Sequence, residues 1–259
     1  MIRAKKSLGQ NFLISPRIVD AIAVAGEIKA GETVIEIGPG KGTLTKALLS
    51  AGAKVRAIEK DDRLIPVLAN EFKNEIEKGD LTLIHGDALL MKSDEMIGNT
   101  ESYKVIANIP YYITGALIRN FLSAENKPLS MILMVQKEVA TRAIARDGKE
   151  SILSLSIKAY ATPELVMNVS RGNFFPIPNV DSAVIKLRDI KNPFKDSKSE
   201  ERFFAIVRAG FSAKRKKLIS NLESVVPREE LEEKFKTLGL GENTRAEDVN
   251  LETWLKLAV

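Results

Sequence analysis

Thr33–Gly42 reads TVIEIGPGKG, a short β-rich run that ends in a glycine-rich turn. β-Branched residues favour extended strands, and an apolar run such as Thr33–Ile37 is typical of a strand buried in a sheet. Glycine permits the sharp backbone turn that must follow. The next residues, Thr43–Ser50, have the spacing of a helix. This stretch therefore predicts a buried strand, a tight turn and a helix.

The same alternation of strand and helix continues along the chain. It implies crossover connections, and therefore an α/β fold with a mainly parallel sheet and helices on both faces. Beyond about Ser154 the pattern changes to closely spaced β-like stretches that end with Ala183–Leu187, which predicts an antiparallel edge on the same sheet. The other predicted strands are Lys54–Glu59, Leu81–His85, Tyr103–Ala107 and Met131–Gln136, and the predicted helices are Arg63–Phe72, Leu117–Ser123 and Lys137–Arg146.

The C-terminal part of the chain has a different character. Lys191–Lys198 is polar and rich in turn-forming residues, as in a linker. From Glu200 onward the pattern is helical throughout, and Phe203, Ile206 and Val207 are spaced for a buried helix face. We therefore predict two domains, residues 1–190 and a small all-helical domain at residues 200–259.

Composition excludes several kinds of chemistry. The chain has no cysteine and one histidine, His85, so disulfides, cysteine-based zinc sites and Ser-His or Cys-His nucleophiles have little to work with. We expect no metal, and we expect His85 to be structural. No apolar run approaches the roughly 20 residues that a bilayer span needs, and no secretory segment is evident, which predicts a cytoplasmic protein without a membrane partner. The net charge of +5 permits a nucleic-acid partner without requiring one.

Two acids follow the glycine turn at the spacing of a nucleotide-type cofactor site. Glu59 ends the second strand and can accept hydrogen bonds from both hydroxyls of a ribose, and Asp87 follows the third strand and can accept one from an adenine amine. A dinucleotide fingerprint reads G-x-G-x-x-G, but here the third glycine comes one position early and a proline and a preceding acid are present. This pattern favours S-adenosylmethionine over a nicotinamide cofactor.

Asn108–Tyr111 reads NIPY and follows the fourth strand. Methylation of an adenine amine needs help, because the nitrogen lone pair is delocalised into the ring. The side-chain oxygen of Asn108 and the backbone carbonyl of Ile109 can accept hydrogen bonds from the amine, and Tyr111 can stack on the base. Taken alone, the same residues also fit a strand-ending turn with a packing tyrosine.

These motifs, with others along nearly the whole chain, resemble those of the ribosomal RNA adenine dimethyltransferase family, and within it the small-subunit type. The family implies a Rossmann-like class I methyltransferase fold with a seven-stranded, mainly parallel sheet and a small helical C-terminal domain. The segments that carry the resemblance are Lys5–Leu13, Glu36–Thr45, Gly86–Leu89, Asn108–Ile113, Gln136–Val139, Phe174–Val184, Phe211–Leu222 and Arg245–Ala258.

The resemblance also implies the site residues. A phenylalanine of the F-x-P-x-P motif closes the second face of the target base, which implies Phe174 rather than Phe175. Ile109 stands where leucine is common, which matters little because the contact is made by the backbone, and Asn179 stands where lysine is usual. The implied catalytic residues are Asn108, Tyr111 and Phe174, and the implied residues for S-adenosylmethionine are Asn11, Leu13, Gly38, Glu59, Asp87 and Asn108.

The family implies dimethylation of two adjacent adenosines at N6, in a stem-loop near the 3′ end of small-subunit ribosomal RNA, and a role in small-subunit biogenesis. The partner would be that RNA within the small ribosomal subunit, and we expect a monomeric enzyme. The C-terminal domain would recognise the ribosomal particle. Phosphate contacts are expected from basic residues, namely Lys5, Lys6, Arg208, Lys214, Arg215, Lys216 and Lys217.

Three other functions remain open from the sequence. The first is a large-subunit methylase of the macrolide-resistance type, against which Val180–Val184 and Arg245–Ala258 argue. The second is a non-catalytic assembly factor that binds immature small subunits. The third is DNA adenine methylation, which shares the Asn-x-Pro-Tyr motif.

Overall fold

A seven-stranded sheet organises most of the chain in the computed structural model, which describes residues 4–5 and 8–259. The strands are β1 (Phe12–Leu13), β2 (Thr33–Ile37), β3 (Lys54–Glu59), β4 (Leu81–His85), β5 (Tyr103–Asn108), β6 (Met131–Gln136), β7 (Thr162–Val169), β8 (Phe174–Phe175) and β9 (Ser182–Arg188). The helices are α1 (Pro16–Ala25), α2 (Thr43–Ser50), α3 (Ile65–Glu71), α4 (Lys73–Glu77), α5 (Ser93–Ile97), α6 (Thr114–Ser123), α7 (Lys137–Ile144), α8 (Ile152–Lys158), α9 (Ser197–Gly210), α10 (Leu218–Leu222), α11 (Arg228–Thr237) and α12 (Leu251–Leu257).

The strand order in the large sheet is β4-β3-β2-β5-β6-β9-β7. Strands β2 to β6 pair in parallel, whereas β9 runs antiparallel to both β6 and β7. The predicted α/β fold, with its seven-stranded mainly parallel sheet and antiparallel edge, is therefore confirmed. The two short strands β1 and β8 form a separate antiparallel pair.

The central strands are apolar because helices cover both sides of the sheet. In β6, Met131–Val135 is completely shielded from solvent, and in β5 the residues Val105–Ala107 are equally buried. Ile22 of α1 and Leu48 of α2 pack into the same core. This rigid centre fixes the carboxyl ends of β2, β3, β4 and β5 at one edge of the sheet, where ligands bind in open α/β folds.

The chain divides into two compact units. The sheet unit contains the described residues up to Ala140 together with Thr162–Ile190, and the helical unit contains Thr141–Ala161 and Lys191–Val259. This division differs from the predicted boundary, because Thr141–Ala161 joins the C-terminal helices. The amide of Glu150 donates to the carbonyl of Glu247 at 2.8 Å, and the ring of Tyr160 stacks on Phe204 with centroids 6.2 Å apart.

Two details of this part of the chain refine the sequence predictions. The β-like stretches expected after about Ser154 begin at Thr162, because helix α8 first runs to Lys158. Ser151 caps this helix by accepting a hydrogen bond from the amide of Ser154 at 3.1 Å. The C-terminal region is helical, as predicted. Its helices are separated by turns, which include the residues between Gly210 and Leu218.

The core of the helical unit contains a buried tryptophan. Trp254 is fully buried and stacks on Phe211 with centroids 5.6 Å apart. Gly210 lies so close to the Trp254 ring that a methyl group there would collide with it. Within the part of the chain that the structure describes, no helix has both the length and the apolar character that a membrane span requires.

Candidate active site

A cleft of about 1030 Å³, open solvent included, lies at the carboxyl ends of the parallel strands. Its walls come from the amino-terminal segment, from the loops after β2, β3, β4 and β5, and from Phe174 of β8. Of the predicted cofactor and catalytic residues, the structure brings all to this cleft, namely Asn11, Leu13, Gly38, Glu59, Asp87, Asn108, Tyr111 and Phe174.

The glycine turn after β2 gives a ligand direct access to backbone. Gly38 and Gly40 adopt positive φ angles of 69° and 60°, which non-glycine residues rarely adopt. A β-carbon on Gly40 would also lie 3.1 Å from the Phe12 ring. Any side chain at Gly40 would therefore be strained and would push on Phe12, which itself lines the cleft.

Glu59 is held rigidly at the end of β3. It is almost fully buried, and its two carboxyl oxygens accept hydrogen bonds from the amides of Gly40 at 3.0 Å and Asp61 at 2.8 Å. Burial raises the pKa of Glu59, and these amide bonds offset the rise only in part. Each carboxylate oxygen has a further lone pair, so the group can still accept two hydroxyls of a ligand.

Asp87 begins the turn after β4 and pairs with Lys60. Its two oxygens accept from the amide of Leu89 at 3.0 Å and from Nζ of Lys60 at 2.7 Å. Burial raises the pKa of Asp87, but the bonds from Lys60 and Leu89 outweigh it, so the pKa lies below its ordinary value. Asp87 is therefore an ionised acceptor at neutral pH.

Asn108 is oriented by the amino-terminal segment. Its Nδ2 atom donates a long hydrogen bond of 3.5 Å to the backbone carbonyl of Asn11. In this orientation Oδ1 is the atom left to accept from a ligand. Ile109 follows and is 1% exposed, with its amide bonded to the carbonyl of Met134 at 3.3 Å. The turn thus has a fixed backbone and one available amide oxygen.

The two predicted stacking residues differ in exposure. Tyr111 is half-buried, and its hydroxyl is 2.8 Å from that of the fully buried Ser182. Burial raises the pKa of Tyr111, so its phenol is neutral. Phe174 lines the cleft but is only 1% exposed, so little of its ring is available to a base in this structure. Its neighbour Phe175 is 64% exposed.

The sequence did not assign a role to every residue of the cleft. Glu36 is 1% exposed, accepts a hydrogen bond from the Thr45 hydroxyl at 2.7 Å, and has its pKa raised to about 8 by burial. The signal for it was an acid inside an otherwise apolar strand. Lys60 and Tyr112 line the cleft as well. Tyr112 lies within the segment Asn108–Ile113, but the sequence assigned a role to neither residue.

A buried carboxylate joins the amino-terminal segment to the loop after β3. The Gln10 side chain donates to Oδ2 of Asp61 at 2.8 Å, and the Arg63 guanidinium bonds both carboxylate oxygens at 2.8 and 2.6 Å. The Arg63 guanidinium holds the pKa of Asp61 well below its usual range. Since the Asp61 amide also bonds Glu59, this contact couples the amino-terminal wall of the cleft to Glu59.

Replacing Asp61 with alanine should loosen that wall. Gln10 and Arg63 would lose a shared charged acceptor, and hydrogen bonds to charged groups contribute about 1.5–3 kcal/mol each. We expect faster amide hydrogen exchange in residues 8–13 and a roughly 10-fold weaker affinity for a cleft ligand. The matched control is Asp62→Ala, which changes the exposed neighbouring acid. Equal exchange rates in both variants would contradict this role of Asp61.

Of the predicted RNA-binding residues, Lys5 and Lys6 belong to the amino-terminal segment, and the others belong to the helical unit. Lys5 is exposed, and Lys6 lies outside the described residues. Arg208 is exposed in the last turn of α9, and the turn that follows carries four more exposed basic side chains, namely Lys214, Arg215, Lys216 and Lys217. The described residues contain no group of three or more His, Cys, Asp or Glu side chains placed to hold a metal ion.

Comparison with known proteins adds a family match. Residues 1–259 match the family described as ribosomal RNA adenine dimethylase. A Dehalococcoides mccartyi protein named ribosomal RNA small subunit methyltransferase A is 41% identical over 260 residues, which cover 100% of this chain and 88% of the relative. A Clostridium botulinum protein of the same name is 40% identical over 256 residues, covering 98% of this chain and 92% of the relative.

Two solved structures have closely similar folds. One is a dimethyladenosine transferase from Plasmodium falciparum, with a TM-score of 0.77, 29% identity and coverage of 95% of both chains. The other is a 23S rRNA methyltransferase named ErmE, with a TM-score of 0.77, 27% identity and coverage of 96% of this chain and 98% of that one. The similarity therefore extends over both units of the chain.

Proposed function

We propose that this chain, which belongs to the ribosomal RNA adenine dimethylase family, is an S-adenosylmethionine-dependent methyltransferase. Its proposed reaction is the dimethylation of adenine at N6 in small-subunit ribosomal RNA. The observation that carries the proposal is the meeting of Asn108, Glu59, Asp87 and Gly38 in one cleft. The Dehalococcoides mccartyi and Clostridium botulinum relatives, 41% and 40% identical, are named for the small subunit. Two adjacent adenosines near the 3′ end of that RNA are the proposed targets.

The cleft fits S-adenosylmethionine by its chemistry. Glu59 offers buried carboxylate oxygens for the ribose hydroxyls, and Asp87 offers an ionised acceptor for the adenine amine. The turn at Gly38 lets backbone approach the ligand closely, and Asn11 and Leu13 close the cleft from the amino-terminal side. When bound there, S-adenosylmethionine supplies an electrophilic methyl group on its sulfonium.

The protein's part in the reaction is to position the target amine. In the first transfer, Asn108 Oδ1 and the carbonyl of Ile109 accept the two amine hydrogens, which draws the nitrogen lone pair out of conjugation with the ring. In the second transfer, one of these oxygens accepts the single remaining hydrogen. No strong base is needed, because the nitrogen becomes acidic only once it has bonded to carbon. Water can then remove the proton.

Stacking holds the base in line. Tyr111 is fixed by its bond to Ser182 and presents part of its ring to the cleft. Phe174 would contact the opposite face of the base. Because Phe174 is only 1% exposed, this contact requires the β1–β8 pair to shift and expose the ring.

The helical unit is the proposed ribosome-recognition part. Its basic turn at Lys214–Lys217 is exposed and carries four consecutive positive charges. Such groups contact phosphates without reading sequence. Lys5 and Arg208 are further proposed phosphate contacts, and the enzyme is proposed to act in the cytoplasm as a monomer.

Labelled S-adenosylmethionine and unmethylated small subunits test the proposal directly. After incubation, nucleoside analysis should find label in N6,N6-dimethyladenosine of the small-subunit RNA. A Lys214→Glu, Lys216→Glu variant should need a higher concentration of particles but bind the methyl donor normally. Large subunits and duplex DNA are the matched controls.

Three outcomes would contradict the proposal. Label confined to large-subunit RNA would indicate an enzyme of the macrolide-resistance type. Label in duplex DNA would indicate a DNA methylase. Tight binding to small subunits without any transfer would indicate an assembly factor.

A further inference from the structure

Phe174 and Phe175 are consecutive aromatic residues in opposite environments. Phe174 lines the cleft and is 1% exposed, whereas Phe175 is 64% exposed. Successive side chains of a strand point to opposite faces, so the β1–β8 pair presents one ring to each side. A large exposed aromatic side chain next to a cleft is unusual enough to need an explanation, because burial of such a ring is favourable.

The surroundings of Phe175 suit a single-stranded nucleic acid. Phe12 lies directly opposite it in the β1–β8 register, and Nζ of Lys41 is 5.0 Å from the centre of the Phe12 ring. Lys41 is exposed, and no ion pair within residues 4–5 and 8–259 involves it. Ile177 is also 63% exposed. Phe175 and Ile177 thus offer exposed apolar surface, and Lys41, which lines the cleft, offers a cation beside Phe12, the register partner of Phe175.

We propose that Phe175 is a stacking platform for the nucleotide next to the target adenine. A base that enters the cleft brings its neighbour in the RNA chain to the same rim. Phe175 follows the cleft-lining Phe174 directly, with Cα atoms about 3.8 Å apart, so the backbone of Phe175 lies beside the cleft. Lys41 would contact the phosphate between the two nucleotides. Stacking on an aromatic face is tolerant of base identity, which suits a flanking position.

This inference rests on the proposed function, and it divides the work between two rings. Phe174 and Tyr111 hold the base that is methylated, whereas Phe175 holds a base that is not reacting. Where two adjacent adenines are both substrates, the one that waits would stack on Phe175 while the other occupies the cleft. Phe175 would therefore affect RNA affinity and leave the methyl-transfer step itself unchanged.

The test compares Phe175→Ala with Phe175→Tyr in the full chain. Two RNAs are used, one with 2-aminopurine on the 5′ side of the target adenosine and one with 2-aminopurine on its 3′ side. In the wild-type chain, binding should quench one of the two probes, because stacking on an aromatic ring quenches its fluorescence. Phe175→Ala should abolish that quenching and raise the KM for RNA by roughly 5- to 150-fold, the range expected for one base–aromatic stack. Phe175→Tyr should retain both the quenching and the wild-type KM for RNA.

Controls separate this role from general damage. Val67→Ala truncates another exposed apolar residue of the same unit and should behave as wild type. Affinity for S-adenosylhomocysteine and kcat should stay within about twofold in every variant. A wild-type KM and normal quenching in Phe175→Ala would overturn the proposal, as would an equal loss of affinity for RNA and for S-adenosylhomocysteine.

The failure of this inference is distinguishable from failure of the proposed function. If the proposed function is wrong, the unaltered chain transfers no methyl group to small-subunit RNA, whatever residue stands at position 175. If only the inference is wrong, the unaltered chain is active and Phe175→Ala methylates RNA with an unchanged KM. If this surface binds a protein partner instead, Phe175→Ala would likewise methylate RNA with an unchanged KM, and this result would overturn the inference.

Discussion

Asn108→Ala should lower the rate of methyl transfer by about 1,000-fold, the largest effect expected for a single residue of this chain. Removing one well-placed hydrogen-bonding group that acts on a developing charge typically costs about 100- to 1,000-fold in rate. Asn108 Oδ1 is the side-chain oxygen available to the target amine, because Nδ2 is directed to the carbonyl of Asn11. Single-turnover transfer to unmethylated small subunits is the direct measurement.

Asn108→Asp is the matched variant, because it keeps an acceptor oxygen at the same position. It should retain substantially more activity than Asn108→Ala. The hydrogen bond from Asn108 Nδ2 to the Asn11 carbonyl is long, at 3.5 Å. Its loss in either variant should therefore change the affinity for the methyl donor by less than about 10-fold. A full rate in Asn108→Ala would contradict the assigned role, as would a loss of activity explained entirely by weaker donor binding.

Glu59→Gln should weaken donor binding by roughly 10- to 100-fold. The ionised carboxylate can accept from both ribose hydroxyls, and a hydrogen bond to a charged group contributes about 1.5–3 kcal/mol. Glutamine keeps the shape but offers one acceptor oxygen and two unwanted donors. Titration calorimetry with S-adenosylhomocysteine measures the change, and Glu71→Gln, an exposed acid on α3, is the control.

The pH dependence of binding gives Glu59 a second signature. Burial raises the pKa of Glu59 in the free chain, and hydroxyl donors stabilise the ionised form. Donor binding should therefore release a proton, become stronger as pH rises through the raised pKa, and weaken as pH falls through it. The stability of the free chain depends on pH in the opposite direction. The contribution of Glu59 to the free energy of unfolding falls as pH rises, because the folded form holds the proton of Glu59 more tightly than the unfolded form does.

Glu59→Gln should remove this pH dependence of binding. The comparison needs calorimetry in two buffers of different ionisation enthalpy at each pH, so that proton release is counted directly. If the variant and the wild type lose affinity in parallel on acidification, another group, such as Glu36 with its pKa raised to about 8, carries the dependence.

Much of the sheet could be predicted because its signals are local. The strands β2, β3, β4 and β6 have the predicted bounds, since each is a short apolar or β-branched run that ends at a turn. Helix α8 was missed because Ser151 and Ser154 form a local capping interaction that hydrophobic spacing does not report. The helical unit also gained Thr141–Ala161 through contacts that span about a hundred residues of sequence, such as Lys149 with Asp248.

The site was predictable where motifs follow strands, and not where its contacts are distant in sequence. Gly38, Glu59, Asp87 and Asn108 meet because parallel strands end at one edge. The bond between Gln10 and Asp61 joins residues 51 positions apart, and that between Tyr111 and Ser182 joins residues 71 apart. No regular spacing in the sequence relates the two residues of either pair. The burial of Phe174 depends likewise on the pairing of β8 with β1.

A crystal structure with S-adenosylhomocysteine and a short RNA containing the target adenosines is the most direct measurement. Our account predicts the amine of one adenine within hydrogen-bond distance of Asn108 Oδ1 and the Ile109 carbonyl, with the ribose of the cofactor product on Glu59. An adenine bound elsewhere, or a cofactor product remote from Asn108, would contradict it.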